Sequence, residues 1–362
     1  MHKIFLVLIF LIYSNLFASN YTKQDIERMI SKMVILGFSG ENVNPNDEIY
    51  KNIKSGLGGV ILFDKDPNDK QKVKNVRNKE QLKRLTSQLQ AISNQKLLIS
   101  IDQEGGIVQR LKKEDGFVDT PKASEIALNG ESSARKSYSA MAKDLRYSGI
   151  NVDFAPVVDL AINKDNKVIV TRGRSFGESS KEVIRYSSIF LEELKKQNII
   201  SVLKHFPGHG SSLADSHLGF VDITNTWNQK ELEPYQYFIA NNSVDMITTA
   251  HVFNQNLDKN YPATLSYNVN TNLLRNKLGF EGVVVSDDLQ MSAISKHYDL
   301  KQTLTLAINS GVNMLLFANQ LQKPVSLKEI VDTVYSQILN EQIPLEKIIK
   351  SNQRIDRMIN KY

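Results

Sequence analysis

Lys204-His205-Phe206-Pro207-Gly208-His209-Gly210, followed by Asp215-Ser216-His217, gathers a cation, three imidazoles and a carboxylate directly behind the apolar run Ile199 to Leu203. These are the groups of acid/base chemistry. An imidazole titrates near neutrality, and a carboxylate beside it orients the ring and stabilises its protonated form. Asp215 and His217 stand two apart, so in an extended or loop segment both face one side. A second carboxylate pair, Asp287-Asp288, ends another apolar run, Gly282 to Ser286. Four of the six histidines (His205, His209, His217 and His251) fall just beyond two strand candidates. The expectation is one pocket shared by these strand ends.

Plainer roles compete at several positions. His205 and His209 are four apart, the spacing of two zinc ligands on a helix, but Pro207 and Gly208 between them rule against that helix. No metal site is expected. Asp288 is read as the cap of a following helix, whereas Asp287 ends the strand itself.

Composition narrows the class. The chain has 362 residues, 23% charged and 41% hydrophobic, a balance that supports a sizeable core. Its net charge of +6 is spread along the chain with no basic block, so no nucleic-acid partner is expected. There is no cysteine, which excludes disulfides, thiolate metal sites, a cysteine nucleophile and a lipid anchor on an N-terminal cysteine. Residues 1–18 read as a secretory signal: Lys3, the apolar stretch Ile4 to Ile12, then Ala18-Ser19. An uncleaved anchor is the alternative. After cleavage no membrane segment is expected, and the protein is expected to be exported, periplasmic or secreted. Residues 19–362 are read as a single catalytic domain.

The elements that position the polar groups follow from the apolar pattern. Eight strand-like runs recur: Val34 to Phe38, Gly59 to Phe63, Leu97 to Ile101, Val152 to Val158, Ile200 to Leu203, Asp245 to Thr249, Gly282 to Val285 and Val312 to Phe317. Helix-compatible stretches such as Lys79 to Ile92, Glu131 to Ser148, Ser180 to Gln197 and Leu300 to Ser310 lie between them. Nearly continuous apolar strands alternating with helices indicate a parallel sheet covered on both faces, and eight units indicate a (β/α)8 TIM-type barrel. An open doubly wound sheet shares these local patterns. Asp102, Asp159, Lys204, His205, His251, Asp287 and Asn319 then follow strands three to eight, the face where barrel enzymes place their chemistry. Beyond the last strand, only a final helix from Leu345 to Tyr362 is expected, solvated and packed outside the barrel.

The chain resembles the family 3 glycoside hydrolases, and among them the single-domain bacterial β-N-acetylglucosaminidases. The resemblance spans about residues 25–340. It rests on Ile101-Asp102-Gln103-Glu104-Gly105-Gly106 with Gln109-Arg110, Asn151 to Asp159, Arg174-Ser175-Phe176-Gly177, the Lys204 to His217 block, and Leu273-Leu274-Arg275 leading to Gly282 to Leu289. It implies a nucleophile at Asp287, an acid/base dyad of Asp215 and His217, and sugar-binding groups at Asp102, Arg110, Arg174, Lys204 and His205. The implied activity is retaining, exo-acting release of N-acetylglucosamine from a chitin-derived saccharide or a peptidoglycan-derived muropeptide, without cofactor. Phosphorolysis on the same fold and β-glucosidase activity are the alternatives; a non-catalytic sugar-binding protein and a metallohydrolase are further ones. Ser211-Ser212 and Asn313 depart from the family pattern, where Asp-Thr and an aspartate are frequent. The second, sandwich-like domain of many family 3 β-glucosidases is not recognised.

Overall fold

The computed structural model describes residues 21–69, 71–213, 219, 221–320 and 323–362. Eight strands form one parallel sheet: β1 Val34–Gly37, β2 Gly59–Ile61, β3 Leu98–Ile101, β4 Val152–Asp153, β5 Ile200–Phe206, β6 Met246–Thr249, β7 Val283–Val285 and β8 Leu315–Phe317. They run in the order β7-β6-β5-β4-β3-β2-β1-β8. The bridge Val285↔Met314 joins the two ends, so the sheet closes on itself as a (β/α)8 barrel. Every residue of these strands is buried, the reason their sequences read as unbroken apolar runs.

Between the strands lie α2 Glu48–Lys54, α3 Lys79–Ile92, α4 Gly130–Tyr147, α5 Ser180–Lys195, α6 Glu233–Ala240, a π-helical segment Asn268–Lys277 and α7 Leu300–Ser310. The entry helix, α1 Lys23–Lys32, starts at a reciprocal cap in which Thr22 and Asp25 each satisfy the other's backbone N–H. The same device starts α7, with Asp299 and Gln302, and Gly311 stops it in a left-handed conformation at φ 111°.

The structure corrects three expectations. Strand β5 continues through Phe206, so Lys204 and His205 lie within the strand and not on a loop after it. A register shift between Leu203 and Phe206 lets the pairing with β6 persist until Pro207, which has no N–H to donate. Strand β4, in contrast, ends at Asp153; beyond it only the bridge Val157↔Lys204 keeps the chain beside β5. Finally, two helices follow β8, α8 Leu327–Leu339 and α9 Leu345–Ile359.

Helix α9 is not merely a solvated outer helix. Its Ile348, Ile355 and Met358 are buried. Asn352 donates to Met29 O at 3.0 Å, Asp356 pairs with Lys32, and Ser351 accepts from Asn313 Nδ2 at 3.0 Å. These contacts tie α9 to α1 and to the base of the barrel. Among the described residues no helix is long and apolar enough to cross a membrane.

Candidate active site

A cavity of about 700 Å³ opens at the C-terminal ends of the strands. Its floor holds Asp102, Glu104, Arg174, Lys204, His205 and Asp287, contributed by the ends of β3, β5 and β7 and by the loop after β4. The topology thus gathers residues up to 185 positions apart (102 to 287) into one concavity.

Lys204 is the centre of the floor. Its ammonium sits 2.8 Å from Asp102 Oδ1 and 2.7 Å from Glu104 Oε1. Arg174 grips the same Glu104 through two bonds of 2.7 Å and donates to Val168 O at 3.1 Å. Arg110 reaches Asp102 Oδ2 at 3.5 Å while its guanidinium lies over the Phe63 ring. Burial works against the charge on Glu104, but Arg174 and Lys204 prevail and hold it far below the usual carboxylate range. Burial is likewise outweighed at Asp102, by Lys204 and Arg110, so that carboxyl is also lowered. Burial lowers Lys204, yet Asp102 and Glu104 more than restore its charge. The result is a buried, alternating lattice of fixed charges suited to holding sugar hydroxyls.

The hairpin after β3 places two of these groups. Gln103–Gly105 pairs antiparallel with Val108–Gln109. The turn needs its glycines: Gly105 and Gly106 sit at φ 96° and 61°, and a Cβ on Gly105 would lie 2.5 Å from Pro121 O. Gln103 Oε1 accepts from the N–H groups of both Arg110 and Leu111 at 2.9 Å, which turns Arg110 back to the cavity. Asp153, fully buried at the end of β4, accepts from Gln103 N at 2.9 Å, and burial raises its pKa well above the ordinary value.

Asp159 organises the next segment. One carboxylate oxygen accepts from His205 N at 3.2 Å and His209 N at 2.8 Å, and the other meets His205 Nδ1 at 2.7 Å. Burial raises the Asp159 pKa, but the neighbouring His205 and His209 more than compensate and lower it. The ionised carboxylate accepts the Nδ1 proton of His205. His209 lies edge-on to His205, bonds Ser212 Oγ at 2.7 Å, and is pushed down to about 4 by burial and by His205, so it is neutral near pH 7. Both rings are therefore parts of a hydrogen-bonded loop. Ser212, one of the departures from the family pattern, also accepts from Asn166 Nδ2 at 3.0 Å.

Asp287 and Asp288 both line the cavity. Asp287 Oδ1 accepts from Asp288 N at 2.8 Å. Asp288 does not cap a helix: its Oδ1 accepts from Gln290 N and Ala318 N, both at 3.1 Å, and so ties the loop after β7 to the end of β8. His251 follows β6 as expected, but its ring is a strut, with Nδ1 on Thr264 Oγ1 at 2.8 Å and Nε2 on Asp288 O at 2.9 Å. Asp215 and His217 lie outside the described residues. All five expected sugar-binding positions line the cavity together with Asp287.

Glu104 escaped the sequence reading as a site residue although it stands inside a recognised motif, and Asp159 was placed at the functional face without a role; their pairing across 70 and 46 positions has no local signal.

This geometry has counterparts. The chain is 33% identical over 334 residues to Beta-hexosaminidase A of Pseudoalteromonas piscicida, an alignment covering 84% of this chain and 53% of that protein. It is 32% identical to a Beta-hexosaminidase of Photobacterium profundum, covering 78% of this chain and 81% of the relative. It thus spans about half the length of the first and four-fifths of the second. The structure of a glycoside hydrolase family 3 beta-N-acetylglucosaminidase from Paenibacillus sp. str. FPU-7 superposes with a TM-score of 0.83 at 31% identity, covering 92% of this chain and 62% of that one. Residues 24–358 match the glycosyl hydrolase family 3 N terminal domain, and with the cavity and the barrel these matches show that the chain belongs to glycosyl hydrolase family 3.

Proposed function

We propose that the protein is a retaining, exo-acting β-N-acetylhexosaminidase that releases terminal N-acetylglucosamine. The observation that carries this reading is Asp287 at the end of β7, lining the same cavity as the Lys204–Asp102–Glu104–Arg174 lattice. The names of its relatives support the sugar. In this reading the lattice holds the ring hydroxyls of the non-reducing sugar and sets its anomeric carbon against Asp287. The carboxylate attacks that carbon, the bond to the departing oxygen breaks, and a glycosyl-aspartate forms. His217 donates its proton to the departing oxygen, with Asp215 stabilising the charged ring. The same histidine then takes a proton from the water that displaces Asp287, so the anomeric configuration is retained.

The signal-like segment 1–18 supports an exported, periplasmic or secreted enzyme acting on peptidoglycan-derived or chitin-derived saccharides. Hydrolysis of 4-nitrophenyl β-N-acetylglucosaminide and β-glucoside should be compared side by side, with and without inorganic phosphate. The expected result is hydrolysis of the first substrate, with free N-acetylglucosamine as product in both buffers. Preference for the glucoside, or a sugar phosphate as product, would refute the reading.

A further inference from the structure

The turn that carries Asp287 is braced from two sides. Toward β8 the backbone does most of the holding: Ser286 N donates to Met314 O and Leu289 N to Leu316 O, both at 3.0 Å, and Ser286 Oγ accepts from Leu316 N at 2.9 Å. Asp288 Oδ1 adds the bond from Ala318 N. Toward β6 the ladder ends at Val285↔Thr248. There the buried ring of His251 takes over, with Nε2 2.9 Å from Asp288 O. A carbonyl oxygen only accepts, so Nε2 carries a hydrogen and donates it.

The far end of this ring is fixed as well. Nδ1 lies 2.8 Å from Thr264 Oγ1, which is itself 2.9 Å from Ala250 O and 3.0 Å from Thr249 Oγ1. Thr264 sits fully buried in the 3-10 turn Ala263–Leu265, and the carbonyls of Ala263 and Thr264 accept from Asn270 Nδ2 at 3.0 and 3.1 Å. The imidazole is thus a rod between a fixed part of the scaffold and one carbonyl of the Asp287 turn. Its position matters for the carboxylate, because Asp287 Oδ1 accepts from Asp288 N at 2.8 Å. That bond sets the rotation of the Asp287 side chain only while the Asp288 backbone keeps its place. His251 does not line the cavity, so any effect it has on the reaction passes through Asp288.

We infer that His251 is a positioning residue for the reaction: it holds the Asp288 backbone so that Asp288 N–H keeps the Asp287 carboxylate aimed at the anomeric carbon. This rests on the reading of Asp287 as nucleophile given above. The groups assigned to the sugar hydroxyls stand on the ends of β3 and β5 and on the loop after β4, away from this brace. Loosening the brace therefore acts on attack and leaves binding in place.

The test compares His251→Ala, His251→Gln and Thr264→Val with the wild type in two measurements: the rate at which a fluorosugar substrate traps Asp287, and the inhibition constant of N-acetylglucosamine. His251→Ala should slow trapping about ten- to a hundredfold, the loss that follows a misplacement of about 1 Å, while the inhibition constant stays within about twofold. His251→Gln, whose amide nitrogen can donate from the place of Nε2, should recover most of the rate. Thr264→Val keeps the ring but removes its hydroxyl support and should show a smaller loss of the same kind; it decides the matter if His251→Ala does not fold. Trapping at the wild-type rate in the deciding variant, a slower rate matched by an equal rise in the inhibition constant, or no recovery with Gln would overturn the inference. If the wild type forms no adduct on Asp287, the functional reading fails by itself. The hold on Asp287 is then read by amide hydrogen exchange of residues 286–291, faster in the deciding variant than in the wild type or His251→Gln if it stands, and equal in all three if it does not.

Discussion

Arg174 and Glu104 face each other through two parallel hydrogen bonds of 2.7 Å, with both side chains under a tenth exposed. A pair this buried contributes geometry more than net stability, since desolvation of both ions offsets much of their attraction. Losing one member is a different matter. Arg174→Met leaves Glu104 with Lys204 as its only ion-pair partner among the described residues, and is expected to cost about 3–5 kcal/mol of folding stability. It should also raise KM for the aryl glucosaminide. Urea unfolding together with Michaelis kinetics checks both, and a variant with unchanged midpoint and KM would refute the assignment.

Asp287 and Asp288 are adjacent but unequal. Asp287→Ala should abolish turnover, because no glycosyl-enzyme forms. Asp288→Asn should retain partial turnover, since an amide oxygen can still accept from Gln290 N and Ala318 N. Trapping with a fluorosugar substrate followed by peptide mapping tests the assignment, and an adduct on Asp288 would reverse it.

The acid/base assignment is separable by leaving group. His217→Ala should slow glycosides with poor leaving groups far more than activated aryl glycosides, which depart with little protonation. Asp215→Asn should show a milder defect of the same kind. Azide should partly restore the second step, where water otherwise needs a base. Equal losses across leaving groups without rescue would make His217 a binding residue.

Glu231 provides a pH-dependent term. Its Oε2 accepts from Gly210 N at 2.9 Å, and burial pushes its pKa from the ordinary 4.5 up to about 7. Between those values the folded state binds more protons than the unfolded one. The stabilisation is therefore complete below about pH 4.5 and is lost as pH rises through 7, a change of roughly 3 kcal/mol. Glu231→Gln should be free of this loss, so its stability relative to wild type should climb across that window. A constant difference from pH 4.5 to 8 would contradict it. The carboxylates Asp102, Glu104 and Asp159 carry the opposite sign: their pKa values are lowered by cationic neighbours, so their stabilisation is lost in acid.

At the base of the barrel, Arg275 donates to Phe280 O, Gly282 O, Gly311 O and Asn313 Oδ1, and has no carboxylate partner among the described residues. Burial and the nearby Arg354 lower its pKa to about 9. Asn313→Asp converts the 2.6 Å contact into a charged bond while keeping an acceptor for Val284 N, and Ser351 can donate to the new carboxylate. It is expected to stabilise the fold by about 1–2 kcal/mol. A lowered urea midpoint would refute this.

The barrel was legible because most of its strands carry a short apolar run bounded by Gly, Pro or polar residues, which leaves little room for another period. Strand-end chemistry was legible for the same reason: Asp102, Lys204 and Asp287 interrupt runs that otherwise contain nothing ionisable. Side-chain roles were less so. His251 carries the same strand-end signature as His205, yet both its nitrogens are taken by Thr264 and Asp288, contacts made 13 and 37 positions away. Asp288 resembles a cap in sequence because a capping aspartate and one that staples two loops use the same short acceptor. The distinction is tertiary.

Asn166 spends both ends of its amide on two different loops. The oxygen holds Val168 N and Ile169 N, while the nitrogen reaches His209 O at 2.8 Å, Gly210 O at 3.2 Å and Ser212 Oγ. For protein engineering this makes the segments 163–174 and 209–212 a single cassette. Grafting the Arg172 loop from another barrel without the matching 209–212 backbone would take the Asn166 donor from two buried carbonyls, His209 O and Gly210 O, while Ser212 Oγ would keep only its bond to His209 among the described residues. Exchanging the two together would also move Arg174 and His209, so the incoming pair must restore the bonds to Glu104 and the N–H that Asp159 holds.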